Sequence, residues 1–131
     1  MIRHHAIVTQ AKLIIIDPIV SFIGTKIDTS SATDVRSVMQ PLADLASELE
    51  VALVLIRHWN KSHQSSASMR GSGSVDFRNS ARSSLQVIRD GNEHYLTLEK
   101  SNYGATGKTL KFEIVDKKLV WTGESGLMAD D

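Results

Sequence analysis

The chain has 131 residues, of which 41% are hydrophobic and 23% charged, with a formal net charge of +0. This is the composition of one modest globular domain, and a neutral chain has no overall field that would draw it to nucleic acid or to a membrane. The sequence has no cysteine, which excludes disulfides and thiolate metal sites. Its apolar runs are far shorter than the ~20 residues of a membrane span, and its amino terminus lacks a secretory signal, so we expect a cytoplasmic protein without a membrane partner.

Two short apolar runs, Lys12 to Ile16 and Val51 to Ile56, predict strands that are buried on both faces, as in a parallel sheet. A helix between them favours a right-handed crossover, which makes the two strands parallel. Asp17 and His58 then both stand at carboxyl ends of strands. In open α/β sheets that edge is where ligands bind.

The connecting helix is predicted from an amphipathic stripe of apolar residues between Val35 and Leu49. Ser31 is the expected N-cap, and Asp34 three residues later resembles the acidic partner of a capping box. Pro41 lies inside the pattern. We expect it either to kink the helix or to begin a second one.

The rest of the chain predicts a long loop, a short helix and antiparallel strands. The loop covers Trp59 to Gly73, and the helix covers Val75 to Arg82 with Ser74 as its cap. A hairpin signal at Asp90-Gly91-Asn92 and alternating apolar residues predict strands over Leu85–Arg89, Tyr95–Glu99, Leu110–Val115 and Leu119–Thr122. We therefore predict an α/β fold, a parallel pair with a crossover helix followed by antiparallel hairpins.

Leu13 to Asp17 has the form of a Walker B element, an apolar strand that ends in an acid. A carboxylate at that position can hold Mg²⁺, directly or through water, beside the phosphates of a nucleotide. Asp also ends many strands merely as a turn residue, and the pattern alone favours that interpretation. His58 can donate a hydrogen bond to a γ-phosphate, or it can be a structural histidine.

Three basic residues are further candidates. Lys61 and Arg70 lie in the predicted loop, where they can follow a nucleic-acid backbone or simply be solvated. Arg82, near the end of the predicted short helix, can stabilise charge on a transferred phosphoryl group as an arginine finger. The alternative for Arg82 is an ordinary salt bridge.

The segment Gly104 to Thr109 ends in Gly-Lys-Thr like a phosphate loop, but Asn102 stands where the motif requires its first glycine. A strand pattern follows it, whereas a phosphate loop needs a helix amino terminus. We therefore predict a hairpin loop. Neither the nucleophile elbow of a hydrolase nor a histidine spacing typical of metal sites is found in the sequence.

In this order the motifs resemble the phage- and plasmid-associated RepA-like ATPases, which are AAA-type members of the RecA-like hexameric helicase superfamily. The resemblance extends from about Lys12 to Gly123. It rests on six segments: Leu13–Pro18, Thr29–Arg36, Arg57–Ser62, Arg70–Ser74, Ala81–Ser83 and Lys100–Asn102.

The resemblance implies a role for each matching residue. Asp17 matches the Walker B acid that holds Mg²⁺, and His58 matches the histidine near the γ-phosphate. Arg82 falls where these ATPases carry an arginine that acts on a neighbouring subunit's nucleotide. Lys100 matches the lysine of a lysine-x-arginine pair, whose arginine is replaced here by Asn102.

The resemblance also implies the parent protein and its ligands. Residues 1–123 correspond to the C-terminal half of a RecA-like P-loop NTPase core, and 124–131 to a flexible tail. The parent would be an ATP-dependent, homo-oligomeric DNA helicase or recombinase that acts in replication, recombination or repair. It would use ATP and Mg²⁺, and it would bind single-stranded DNA through the channel loop that contains Lys61 and Arg70.

The sequence departs from this family in one large respect. The family's phosphate loop and catalytic glutamate precede the Walker B strand, and few residues precede that strand here. We therefore expect a fragment of a longer ATPase, which by itself neither hydrolyses ATP nor binds a cofactor. Two alternatives remain open, a non-catalytic oligomerisation module with a RecA-like interface and a DNA-binding accessory protein. Removal of the preceding elements would also leave apolar surface exposed, which favours self-association.

Overall fold

The computed structural model of the chain describes residues 1–58 and 75–126. The fold is mixed α/β, as the sequence predicts, with one parallel and one antiparallel sheet. The chain falls into two compact units, Met1–Ser80 and Ala81–Asp131. The predicted loop over 59–73 and the predicted cap Ser74 lie outside the described residues. No helix within the described ranges is long and apolar enough to cross a membrane.

The first unit is a strand–helix–strand arrangement with a short helix at each end. The strands pair in parallel from Leu13 opposite Ala52 to Ile16 opposite Leu55, which confirms the predicted parallel pairing. The elements in order are α1 Ile2–Val8, β1 Leu13–Ile16, a 3₁₀ helix Ile19–Ser21, α2 Ala32–Glu48, β2 Ala52–Leu55 and α3 Asp76–Ser80.

The core of this unit lies on one face of the parallel pair. Its buried members come from β1, the 3₁₀ helix, α2 and α3: Ile16, Ile19, Val35, Met39 and Phe77. The alternate strand residues Leu13, Ile15 and Val54 are 51%, 56% and 42% exposed. The prediction that the strands are buried on both faces is therefore wrong for this structure, because α2 and its neighbours cover one face only.

Helix α2 begins where the sequence predicts. The Ser31 hydroxyl accepts a hydrogen bond from the Asp34 amide at 3.3 Å, as an N-cap does. The second hydrogen bond of a capping box, from the Ser31 amide to the Asp34 carboxylate, does not form, so this part of the prediction is wrong. The Ser31 amide already donates to the Asp28 carbonyl, and the Asp34 carboxylate accepts from the Asp28 amide at 2.9 Å. Helix α2 continues through Pro41 to Glu48, so no second helix begins at the proline.

The second unit is an antiparallel meander in which each strand pairs with its neighbour in sequence. The turn between the first two strands contains Gly91 at φ +58, and the last turn places Asp116 and Lys117 at φ 50 and 64. Positive φ at both central residues is the geometry of a two-residue hairpin that matches the twist of the strands. The strands are β3 Ser83–Asp90, β4 Glu93–Ser101, β5 Thr109–Val115 and β6 Lys118–Ser125.

Two predicted boundaries in the second half of the chain are wrong. Helix α3 ends at Ser80, so Arg82 is not helical as predicted. The Arg82 carbonyl instead accepts from the Asn102 amide at 2.9 Å, because the pairing of β3 with β4 takes over there. Strand β6 includes Glu124 and Ser125, which the sequence assigned to the tail.

Candidate functional site

Asp17 and His58 lie together at the carboxyl ends of the two parallel strands. Asp17 directly follows β1, and His58 follows β2 by a few residues. The distance from His58 Nε2 to Asp17 Oδ1 is 3.9 Å. Both side chains are open to solvent, with exposures of 56% for Asp17 and 74% for His58. The Asp17 carboxylate, which can bind a cation, and the His58 imidazole, which can donate a hydrogen bond to an anion, therefore lie side by side at this edge.

The backbone on either side of Asp17 is held firmly although its side chain is exposed. Ile16 is 7% exposed and Ile19 only 2% exposed. The Ile56 amide donates to the Ile16 carbonyl, and the Ile19 amide donates to the Ile56 carbonyl, each at 2.9 Å. The Asp17–Pro18 peptide bond between these anchors is cis. The two hydrogen bonds and the burial of Ile16 and Ile19 hold the backbone that carries the Asp17 carboxylate at the sheet edge.

A second group of side chains fixes the segment beside His58. The Arg57 guanidinium lies 4.3 Å from the centre of the Phe77 ring, a cation–π contact. Asp76, whose side chain is only 9% exposed, accepts two hydrogen bonds from Arg36, at 2.9 Å from Nε and 2.7 Å from Nη2. These contacts link α3 to α2 and to the end of β2. No local sequence pattern predicts these contacts, since the partners are far apart along the chain.

Asp17 is the acidic side chain that the structure places at this edge, beside His58. Within residues 1–58 and 75–126, no group of three or more His, Cys, Asp or Glu side chains is placed to hold a metal. Mg²⁺ commonly keeps several waters and binds proteins through one or two carboxylates together with substrate phosphates. Asp17 supplies one exposed carboxylate of this kind.

The predicted residues Arg82 and Lys100 belong to the second unit, whereas Asp17 and His58 belong to the first. Arg82 is exposed, and its Nη1 donates to the Tyr103 hydroxyl at 3.3 Å. Lys100 is half-buried, and its Nζ donates to the Ala81 carbonyl at 2.6 Å. Lys100 therefore braces the chain just before β3. Lys61 and Arg70, the residues predicted for a DNA-binding loop, lie outside the described residues.

The glycine-rich segment before Thr109 is a hairpin loop, as predicted. It connects β4 to β5, and Thr109 is the first residue of β5, so no helix follows it. The Lys108 ammonium donates to the Glu124 carboxylate of β6 at 2.5 Å. The lysine is thus part of an ion pair across the sheet end, and the helix amino terminus that a phosphate loop requires is missing at this point.

Part of the chain is similar to a known protein family. Residues 2–64, somewhat less than half of the chain, match a family described as AAA domain. The matched residues include both Asp17 and His58. The match supports an AAA/RecA-like ATPase-type domain, with the ATP-binding character of P-loop NTPases, in this part of the chain. No curated protein matches the sequence.

Proposed function

We propose that this chain supplies the nucleotide-facing sheet edge of a RecA-like ATPase core, in a DNA-processing motor of the RepA-like helicase kind. The observation that carries the proposal is the pairing of Asp17 with His58, 3.9 Å apart at the ends of adjacent parallel strands. Ligands bind at that edge in open α/β sheets. Both residues also lie within the span that matches the AAA domain family.

The two side chains have complementary tasks in this proposal. Bound Mg²⁺ would neutralise charge on the nucleotide phosphates, and Asp17 would hold it, directly or through water. His58 would donate a hydrogen bond to the γ-phosphate from the neighbouring strand end. The Arg57–Phe77 contact fixes the backbone beside His58. A phosphate loop would have to come from residues outside these 131, so this chain alone should bind nucleotide weakly and should not hydrolyse it.

Paramagnetic broadening of amide signals tests this proposal even when binding is weak. The labelled chain is titrated with MnATP, where Mn²⁺ replaces Mg²⁺. We expect broadening that is centred on Asp17 and His58. It should be lost in Asp17→Asn and kept in Asp44→Asn, a matched exposed carboxylate on α2. Broadening that is diffuse, or equal in the two variants, would show that this edge does not receive a nucleotide.

The cationic residues have proposed roles in an oligomer of the parent protein. Arg82 would act as an arginine finger toward the nucleotide of a neighbouring subunit, with Lys100 positioned beside it. Lys61 and Arg70 would contact single-stranded DNA in the channel of a homo-oligomer. Replacing Lys61 and Arg70 by Ala should weaken binding of single-stranded DNA and flatten its salt dependence, as measured by fluorescence anisotropy. Unchanged affinity and slope would remove the DNA-binding role.

A second candidate is a non-catalytic interaction module, and it is favoured by the exposed face of the parallel pair. Leu13, Ile15 and Val54 are between 42% and 56% exposed, whereas parallel sheets are normally covered on both faces. In this case the sheet edge that carries Asp17 and His58 would bind no nucleotide. The MnATP titration separates the two candidates, because an interaction module predicts no localised broadening at Asp17.

A further inference from the structure

His58 is placed beside Asp17 by the backbone that carries it, not by a hydrogen bond between the two side chains. Its ring is 74% exposed, and the 3.9 Å from its Nε2 to Asp17 Oδ1 exceeds hydrogen-bond length. The position of the ring therefore follows from the way the end of β2 is held. The contacts of the neighbouring residues show how this is done.

Backbone hydrogen bonds fix β2 and the residue that follows it. The Ile56 amide donates to the Ile16 carbonyl, and the Ile56 carbonyl accepts from the Ile19 amide, each at 2.9 Å. His58 lies two residues beyond Ile56. Arg57, the residue between them, therefore decides where the His58 side chain points.

Arg57 is anchored through its side chain. Its guanidinium lies over the Phe77 ring, 4.3 Å from the ring centre, in a cation–π contact. Phe77 is 4% exposed and belongs to the core cluster of the first unit, so its ring is itself fixed by packing. An arginine that is held at its tip in this way also restricts the backbone at its own position and at the next residue, which is His58.

Helix α3, which carries Phe77, is held in turn by an ion pair. The helix has 5 residues, and so short a helix needs tertiary contacts because its own hydrogen bonds contribute little. Asp76, its first residue, accepts hydrogen bonds from Arg36 Nε at 2.9 Å and from Nη2 at 2.7 Å. The Asp76 side chain is only 9% exposed, and a carboxylate buried to this extent depends on such a partner. Since Arg36 is on α2, the ion pair ties α3 to the crossover helix.

These contacts form one continuous route from α2 to His58. The Arg36–Asp76 pair seats α3. The Phe77 ring of α3 then holds Arg57, and Arg57 holds the backbone of His58. We infer that Asp76 and Arg57 are positioning residues that set His58 for a terminal phosphate, so that this edge distinguishes a nucleoside triphosphate from a diphosphate. The inference rests on the proposed nucleotide edge and names the residues that give that edge its specificity.

The two nucleotides differ at the group that His58 would contact. Mg²⁺ bound at Asp17 can serve a diphosphate and a triphosphate alike, whereas a γ-phosphate is present only in the triphosphate. One hydrogen bond to that phosphate at an exposed edge corresponds to a preference of roughly three- to tenfold. When His58 is no longer held in place, the preference should fall to about twofold or less.

The first test compares MnATP with MnADP on the labelled full chain, and the broadening of the Asp17 amide signal measures both affinities. Arg57→Ala removes a positive charge, and Asp76→Ala removes a negative one. Electrostatic attraction alone would therefore move the preference for ATP in opposite directions in the two variants. Loss of positioning lowers the preference in both, to about twofold or less, while the broadening at Asp17 remains.

Conservative and control variants separate positioning from other effects. Arg36→Lys keeps a cation beside Asp76, and because both hydrogen bonds reach the same carboxylate oxygen, it should keep most of the ATP preference. Arg3→Ala is the matched control, since it removes an exposed arginine from its ion pair with Glu48, and it should leave the preference unchanged. Circular dichroism verifies that each variant is folded. If Asp76→Ala does not fold, Asp76→Asn removes the same charge and keeps the shape of the side chain.

The second test follows His58 without any nucleotide. Nitrogen relaxation of its amide should show the same order as β2 in the original chain and faster, larger motion in both alanine variants, with α2 unaffected. An unchanged His58 amide would overturn the inference. So would localised broadening together with an ATP preference that is absent in the original chain, is kept in both variants or shifts in opposite directions. If the original chain shows no localised broadening at all, the proposed nucleotide edge fails and the inference fails with it.

Discussion

Val35 is the best position at which to test how the core supports the candidate site. It is fully buried, at 0% exposure, in the cluster that contains Ile16 and Ile19 on either side of Asp17. Val35→Ala removes two methyl groups, worth about 1.6 kcal/mol of burial at ~0.8 kcal/mol each. A residual cavity of roughly 40 Å³ adds about 1 kcal/mol, and the better helix propensity of alanine returns about 0.5 kcal/mol. We expect a net loss of about 2 kcal/mol.

Urea unfolding followed by helical ellipticity measures this loss. All helices in the described residues belong to the first unit, so the helical signal reports on that unit. The transition midpoint should fall while its slope stays constant. Val8→Ala is the control, since it makes the same substitution in a helix at a site that is 68% exposed, and it should change stability by about 0.5 kcal/mol or less. Equal effects of the two substitutions would refute the assignment of the core.

Three other predictions concern single contacts. Ser31→Ala removes the N-cap acceptor of α2 and should cost about 1 kcal/mol in the same urea titration; an unchanged midpoint would argue against that cap. Gly91→Ala places a side chain at φ +58 and should destabilise the β3–β4 hairpin by about 1 kcal/mol, seen as faster amide exchange in β4 but not in α2. Lys111 lowers the pKa of Glu93, so their contact stabilises the sheet above the unfolded-state pKa and is lost as pH falls through the lower folded value. Glu93→Gln should therefore show a shallower acid-side loss of β4 amide signals in spectra recorded against pH, and an unaltered profile would contradict the contact.

Local patterns predicted the elements because each pattern has a direct physical cause. The short apolar runs that precede Asp17 and His58 form the parallel pair, and the cap at Ser31 starts α2. Glycine at position 91 makes the hairpin turn. The edge that carries Asp17 and His58 was also predictable, since a crossover connection fixes which strand ends coincide. Helix α1 was missed, because its short sequence has neither a capping side chain nor a clear apolar stripe.

Properties that depend on distant residues were not predictable from the sequence. The Arg36–Asp76 pair joins elements separated by the whole of β2 and the segment after it. Arg82 was assigned to a helix because its local composition permits one, yet pairing with the strand near Asn102 determines its conformation. The alternation along β3 to β6 predicts two unlike faces, but it does not say that the apolar one is exposed.

The connectivity of the two sheets has a consequence for the order of folding. In the meander every strand pairs with the next strand along the chain, so each step closes only a short loop. The parallel pair must instead bring together Leu13 and Ala52, with the whole of α2 between them. Local contacts form faster than distant ones in small domains. We therefore expect the second unit, although it is synthesised after the first, to reach its native pairing sooner than the first.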